Sequence, residues 1–224
     1  MKKILSFLCI SSLLLSTAQN MLPSDSQEIQ SSLKKMGQMA QTSPFKNLVF
    51  KNIGPTVMSG RVVDVDVNPA DPTEMLVAYA SGGLWHSTNN GTSFTPIMDN
   101  ASTINLGDIA VDWDSKTIWA GTGENNSSRS SYAGIGILKS TDWGKTWNPP
   151  MLTASHHIGR ILIDPKDTDH VVVAVTGPLY SASDHRGIYT TKDGGANWEK
   201  TLFATNMAGF IDLAAAPEDF NVLY

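Results

Sequence analysis

From Gly60 onward the chain runs in short stretches of alternating apolar and polar residues, broken by clusters of Gly, Pro, Asn, Asp and Ser. A period of two marks a half-buried strand, and such clusters make turns. Three stretches begin at a glycine: Gly60 to Val67, Gly107 to Trp113 and Gly159 to Asp164. A fourth begins at Gly209 and runs to Ala214. Shorter apolar runs of strand type follow at Gly83 to His86, Gly136 to Lys139 and Gly187 to Thr190. Asn68 to Thr73 and Asp164 to Asp169 are turn clusters. Residues 19–45 differ, being rich in Ser and Gln. Their Ile29, Leu33, Met36 and Ala40 fall at helical spacing, with Asp25 and Glu28 placed to cap the start.

After each short apolar run stands a related octet. The three are Ser87-Thr-Asn-Asn-Gly-Thr-Ser-Phe94, Ser140-Thr-Asp-Trp-Gly-Lys-Thr-Trp147 and Thr191-Lys-Asp-Gly-Gly-Ala-Asn-Trp198, with starts 53 and 51 residues apart. Asn89, Asp142 and Asp193 are placed to accept main-chain N–H bonds in a tight turn. Gly91, Gly144 and Gly195 supply the positive φ such a turn needs. Phe94, Trp147 and Trp198 return a large apolar side chain to the sheet or to a gap between sheets. Four short strands in about 50 residues, repeated, are the signature of β-propeller blades. A sandwich has no need of one repeated turn sequence.

The pattern Ser-x-Asp-x-Gly-x-Thr-Trp resembles the Asp-box, also called the BNR repeat. The chain is similar to Asp-box propellers of the sortilin, sialidase and xyloglucanase-like group, above all to exported bacterial proteins of glycosyl-hydrolase-like or sortilin N-terminal-domain type. The resemblance covers about residues 46–224 and implies an all-β fold of four-stranded blades. It also implies that Ser87, Asn89, Gly91, Phe94, Ser140, Asp142, Gly144, Trp147, Thr191, Asp193, Gly195 and Trp198 support the fold, away from any ligand. The arginine cluster of sialidases and the two catalytic aspartates of xyloglucanases have no residue-by-residue match here.

The expected blades are about 60–100, 105–150 and 156–203, with a partial fourth at 209–224. Arg61–Asn68, Gly107–Trp113 and Ile158–Asp164 are expected to be innermost strands. The propeller is thus incomplete, and the sequence reads as the N-terminal piece of a longer protein, with Phe45 to Ile53 a candidate closing strand for a last blade. Residues 1–18 read as a signal peptide: Lys2 and Lys3, an apolar Ile4 to Leu15, then Ser16-Thr17-Ala18. This implies export, to a periplasm, a cell surface or the extracellular space. Residues 19–45 read as a linker with one short helix.

Composition removes several classes of function. The formal charge is −5 with only four Arg among 224 residues, which argues against nucleic-acid binding. The single Cys, Cys9, excludes a disulfide scaffold and a cysteine-based zinc site. The apolar run Ile4 to Leu15 is too short to read as a spanning helix, and no later run is long enough. Neither a cofactor nor a metal site is expected. His156 and His157 lack a placeable third ligand. Ser181 or Ser183 with Asp184 and His185 lie in one loop without a nucleophile elbow.

Candidate chemistry gathers on the face carrying the inner-strand starts and the loops between second and third strands. The octets emerge on the opposite face. The residues after the strand-start glycines, Arg61, Asp108, Arg160 and Phe210, are expected to point to the channel mouth. Arg61 and Arg160 suit a carboxylate or other anion; alternatively they brace blades through an Arg–Asp–Arg ion-pair ring. The loops Gly121 to Gly134 and Thr176 to Gly187 are long and polar and bring Glu124, Asn125, Arg129, Tyr132, Tyr180 and Arg186. Rings for stacking beside polar groups suit a glycan, peptide or protein ligand. Glu124 and Asp108 are the carboxylate pair that a glycoside hydrolase would need. Two functions stay open: a propeller binding a glycan, peptide or protein, and a hydrolase acting on a polysaccharide.

Overall fold

In the computed structural model, which describes residues 22–49, 60–128 and 131–224, the three octets close through one set of bonds. The hydroxyls of Ser87, Ser140 and Thr191 each accept from the N–H of the glycine four residues on, at 2.9 Å. Each hydroxyl donates to Asn89, Asp142 or Asp193. Those side chains accept in turn from the N–H of Ser93, Thr146 and Asn197 at 2.8–2.9 Å. Such bonds favour the ionised carboxyl, and they hold Asp193 down to about 2. Two consecutive residues take positive φ in each turn: Asn90-Gly91, Trp143-Gly144 and Gly194-Gly195. Trp143 is held there by edge contacts with His86 and Trp113.

The turns join the strands of successive antiparallel sheets. Blade 1 comprises β1 (Val62–Val67), β2 (Met75–Tyr79), β3 (Gly83–Ser87) and β4 (Thr95–Pro96), in that order. Blade 3 comprises β8 (Ile158–Asp164), β9 (Asp167–Val175), β10 (Gly187–Thr191) and β11 (Glu199–Leu202), paired in sequence. Blade 2 departs from the expected four strands. It has β5 (Leu106–Asp112), β6 (Thr117–Thr122) and β7 (Ile137–Ser140). Its outer segment touches β7 only through Asn148 and a single bridge between Ile137 and Met151. Pro149 and Pro150 between these points have no N–H to give to a ladder. In the fourth unit the expected strand Gly209–Ala214 is not regular. A hairpin forms instead from β12 (Ala215–Ala216) and β13 (Asp219–Leu223).

The helix α1 spans Ser26–Thr42. Asp25 caps it, accepting from the Glu28 N–H at 2.8 Å. No helix residue is buried; Ser26 reaches Thr153, and Ser24 O accepts from His156 Nε2 at 3.0 Å. Phe45–Val49, expected to start a closing strand, is turn and coil; the rest of that segment, the expected signal peptide with Cys9, and Arg129 lie outside the described residues. Among the described residues no helix is long and apolar enough to cross a membrane.

The blades pack face to face, with one apolar core in each gap. Leu76, Leu84 and Met98 of blade 1 meet Leu106, Ile118 and Leu138 of blade 2, and Trp147 packs on this cluster. Trp119 and Ile137 of blade 2 meet Ile158, Val171, Val173 and Val175 of blade 3, with Trp198 edge-on to Trp119 at 6.1 Å. The alternate residues Val172 and Ala174 face Phe210, Leu213, Phe220 and Leu223 of the fourth unit. Thus Val171–Val175 of β9 are buried on both faces, which is why they read as a continuous apolar run.

The innermost strands β1, β5 and β8 share one irregularity near their start. Each has a bulge between Val62 and Asp64, Leu106 and Asp108, or Ile158 and Arg160. This register makes Asp64, Asp108 and Arg160 equivalent. Lining the blades up on their glycines sets Arg61 in that place, and the structure corrects this: Arg61 is equivalent to Asn105 and His157. Ala80, Gly123 and Thr176 donate N–H bonds to their respective carbonyls. Phe210, expected at the channel mouth, packs instead into the core between blade 3 and the fourth unit.

Candidate functional site

Carboxylates on each inner strand hold the next one. Asp64 Oδ2 accepts from Ile109 N at 3.3 Å, and Asp66 Oδ2 from Val111 N at 3.1 Å. Asp66 Oδ1 accepts from Trp113 Nε1 at 2.7 Å. One blade further, Asp108 Oδ2 accepts from Ile161 N at 2.6 Å. At the equivalent place in blade 3 stands Arg160. Its Nη1 lies 3.0 Å from Asp108 Oδ1 and 3.9 Å from Asp64 Oδ1, and its Nε donates to Asp212 Oδ1 at 2.7 Å. One guanidinium therefore links blade 1, blade 2 and the fourth unit.

At the same end, the loop between β6 and β7 folds over the inner strands. Thr122 Oγ1 anchors it, donating to Gly136 O and accepting from Ile135 N at 2.7 Å. Gly134 N donates to His156 O at 2.7 Å. The loop carries Glu124 inward, where it is fully buried. Both Glu124 oxygens accept from Arg61, through Nε and Nη2. Tyr132 O accepts from the Glu124 N–H. These elements bound a cavity of about 300 Å³ lined by Arg61, Asp108, Glu124, Asn125, Asn126, Arg160 and Asp212 with nearby backbone. No octet residue lines it.

Electrostatics in the cavity follow burial. Asp108 is 1% exposed. Desolvation, aided by the charge of Asp64 and opposed by Arg160 and the Ile161 N–H, pushes its carboxyl up to about 8. Burial works against the charge of Arg160, but the bond to Asp212 and the charge of Asp108 raise its pKa overall. His157, buried beside the cavity loop, donates Nδ1–H to Gly177 O; burial first, then the charge of His156, bring it down to about 4.

The structure brings Arg61, Asp108, Glu124, Asn125 and Arg160 into one cavity. Tyr132 stands beside it, half exposed. Tyr180 is exposed, and its hydroxyl donates to Ser128 O at 3.3 Å, tying the two long loops together. Arg186 does not join the cavity. It is buried and holds its own loop by donating to Thr176 O, Pro178 O, Ser181 O and Asn206 O. Ser183 Oγ accepts from the His185 main-chain N–H, a turn bond rather than a triad contact. Sequence reasoning missed Asp64, Asp66, Asp212 and Asn126. The first two carried a signal, since acidic residues alternated there with valines in a strand.

The chain is similar to a number of solved structures. An ancestral GH74 enzyme matches 79% of this chain and 23% of that one at 20% identity, with a TM-score of 0.59. The GH74 xyloglucanase from Xanthomonas campestris matches 71% of this chain and 26% of that one at 17% identity, with a TM-score of 0.54. YCF48 bound to D1 peptide matches 73% of this chain and 45% of that one at 16% identity, with a TM-score of 0.42. No family model matches, and no curated protein matches significantly. The protein is an all-β β-propeller in fold, and it spans about a quarter of the length of the GH74 enzymes.

Proposed function

We propose that the protein is an exported propeller of Asp-box type, related to the sortilin N-terminal-domain and glycosyl-hydrolase-like group, that binds a glycan, peptide or protein ligand at the inner-strand end. The observation that carries this reading is the convergence of side chains from three blades and the fourth unit on one cavity beside a half-exposed tyrosine. Concave sites with a few convergent polar groups are where ligands bind. The three octet networks support the Asp-box reading, and the composition of residues 1–18 supports export. Asn125 lines the cavity and has no side-chain hydrogen-bond partner among the described residues, so it is available to a ligand. The test is a screen of the protein on glycan and peptide arrays. We expect binding to a member of one class and a loss of about fivefold in Asn125→Ala, the weight of one hydrogen bond. Full affinity in that variant would remove the cavity from the site.

Hydrolysis of a glycoside by Glu124 and Asp108 is the second reading. The raised pKa of Asp108 favours it, because an acid catalyst must hold its proton near neutral pH. Against it stands the occupancy of the oxygens. Glu124 is clamped on both by Arg61, and Asp108 accepts from Ile161 N and Arg160. The binding reading therefore expects no release of reducing sugar from soluble polysaccharides. Turnover that fell by orders of magnitude in Glu124→Gln, with substrate still held, would replace binding by hydrolysis.

A further inference from the structure

Two arginines in a cavity suggest an anionic ligand, but each already faces acidic partners. Arg61 is paired on both oxygens of the buried Glu124. Arg160 contacts Asp108 and Asp212, with Asp64 at 3.9 Å. Two guanidinium groups thus stand among four carboxyl groups; leaving aside Asp108, which keeps its proton to about 8, three acids face two arginines. The acidic surplus faces solvent: the Asp212 side chain is 69% exposed. Its Oδ1 accepts from Arg160 Nε and Leu213 N, whereas Oδ2 has no hydrogen-bond partner among the described residues. Tyr132, whose main-chain carbonyl accepts from the Glu124 N–H, is 51% exposed, and aromatic faces attract cations.

From this geometry we infer that the cavity selects a cationic group, an ammonium or guanidinium of the ligand, and that Asp212 determines this selectivity. The inference rests on the ligand-binding reading above and deepens it. An entering carboxylate would approach arginines whose charge is already offset by Glu124 and Asp212, and would meet the like charge of the exposed Asp212. An entering ammonium meets the open Asp212 Oδ2 without breaking a pair, and like charge between ligand and Asp212 disfavours the anion.

Three small probes of similar size test it on the protein by calorimetric titration: arginine amide, glucose and succinate. Arginine amide should bind best, weaken two- to fivefold in Asp212→Asn, as removal of one exposed charge pair predicts, and weaken as salt is raised. In Asp212→Lys the preference should move to succinate. Unfolding midpoints of both variants close to that of the parent would show that the exposed position tolerates the change. Preference of the parent protein for succinate, or unchanged arginine amide affinity in both variants, overturns the inference. Binding of glucose alone overturns the charge selectivity but leaves a ligand site. Silence of all three probes also overturns it, and the array screen then decides separately whether the cavity binds a ligand.

Discussion

Replacing Gly107 by alanine should destabilise the protein by about 3 kcal/mol, the upper end for forcing atoms into a packed interior. An added Cβ would stand 2.2 Å from Ile158 O and 2.4 Å from Gly123 O. Both obstacles are backbone, so no rotamer change relieves them. The φ of Gly107 is not in the left-handed region, and the cost is one of space alone. Gly159 meets Ile211 O at 2.3 Å in the same way, so the close approach of an inner strand to the backbone of the next unit is a repeated feature. Gly37 in α1 is the control, with nothing within 4 Å of its added Cβ; alanine there should stabilise the helix by up to about 1 kcal/mol. Denaturant midpoints of the two variants should move in opposite directions. A Gly107→Ala midpoint no lower than that of the parent would mean that the inner strands are not packed as described.

Stability should also fall as pH rises towards 8, and Asp108 should be a principal cause. In the unfolded chain an Asp ionises near 3.9, whereas folded Asp108 keeps its proton to about 8. Between those values the native state holds more protons than the unfolded one, so stability decreases with rising pH and levels off above 8. The slope is at most about 1.4 kcal/mol per pH unit for one proton. His157 has the opposite sign. Its folded value is lowered to about 4 against about 6.5 unfolded, so its contribution is lost as pH falls from 6.5 towards 4. Of these two groups only Asp108 acts from pH 6.5 to 8. Asp108→Asn should therefore flatten the denaturation midpoint across that interval, and an unchanged slope would show that Asp108 is ionised in the native state. Asp64, Asp212 and Arg160 face the same group, which makes Asp64→Asn a useful companion: it should lower the Asp108 pKa and narrow the interval.

Local features of this fold are legible in the sequence, and long-range ones are not. The octets could be read because their bonds span at most four residues, so Ser140, Asp142, Gly144 and Thr146 contain the whole turn. The inner strands could be read from alternation. Bulges carry no such mark; each inner strand has one, and Val63, not Gly60, stands in the place of Gly107 and Gly159. In blade 2, Pro149-Pro150 stands in plain view, yet only the geometry around Met151 shows that pairing shrinks to one bridge. The pairing of Arg61 with Glu124 joins residues 63 apart, which no spacing rule reaches. Arg186 looks like any polar loop residue, because four carbonyls converging on a guanidinium leave no trace in residue types.

The bonds between inner strands run in one direction around the channel. Asp64 and Asp66 on β1 accept from main-chain donors on β5, and Asp108 on β5 accepts from β8. Asp64 and Asp66 are two residues apart, and so are their partners Ile109 and Val111, so this pair works as a vernier. If β5 slid along the channel axis by one residue, its amides would turn away from both carboxylates. If it slid by two, only one of the two bonds could survive. The height of each blade is thus gauged from the blade before it by the length of an aspartate side chain. The rim of the cavity is levelled by these contacts lower in the channel, so an error in one blade's height would be handed on to every blade that follows.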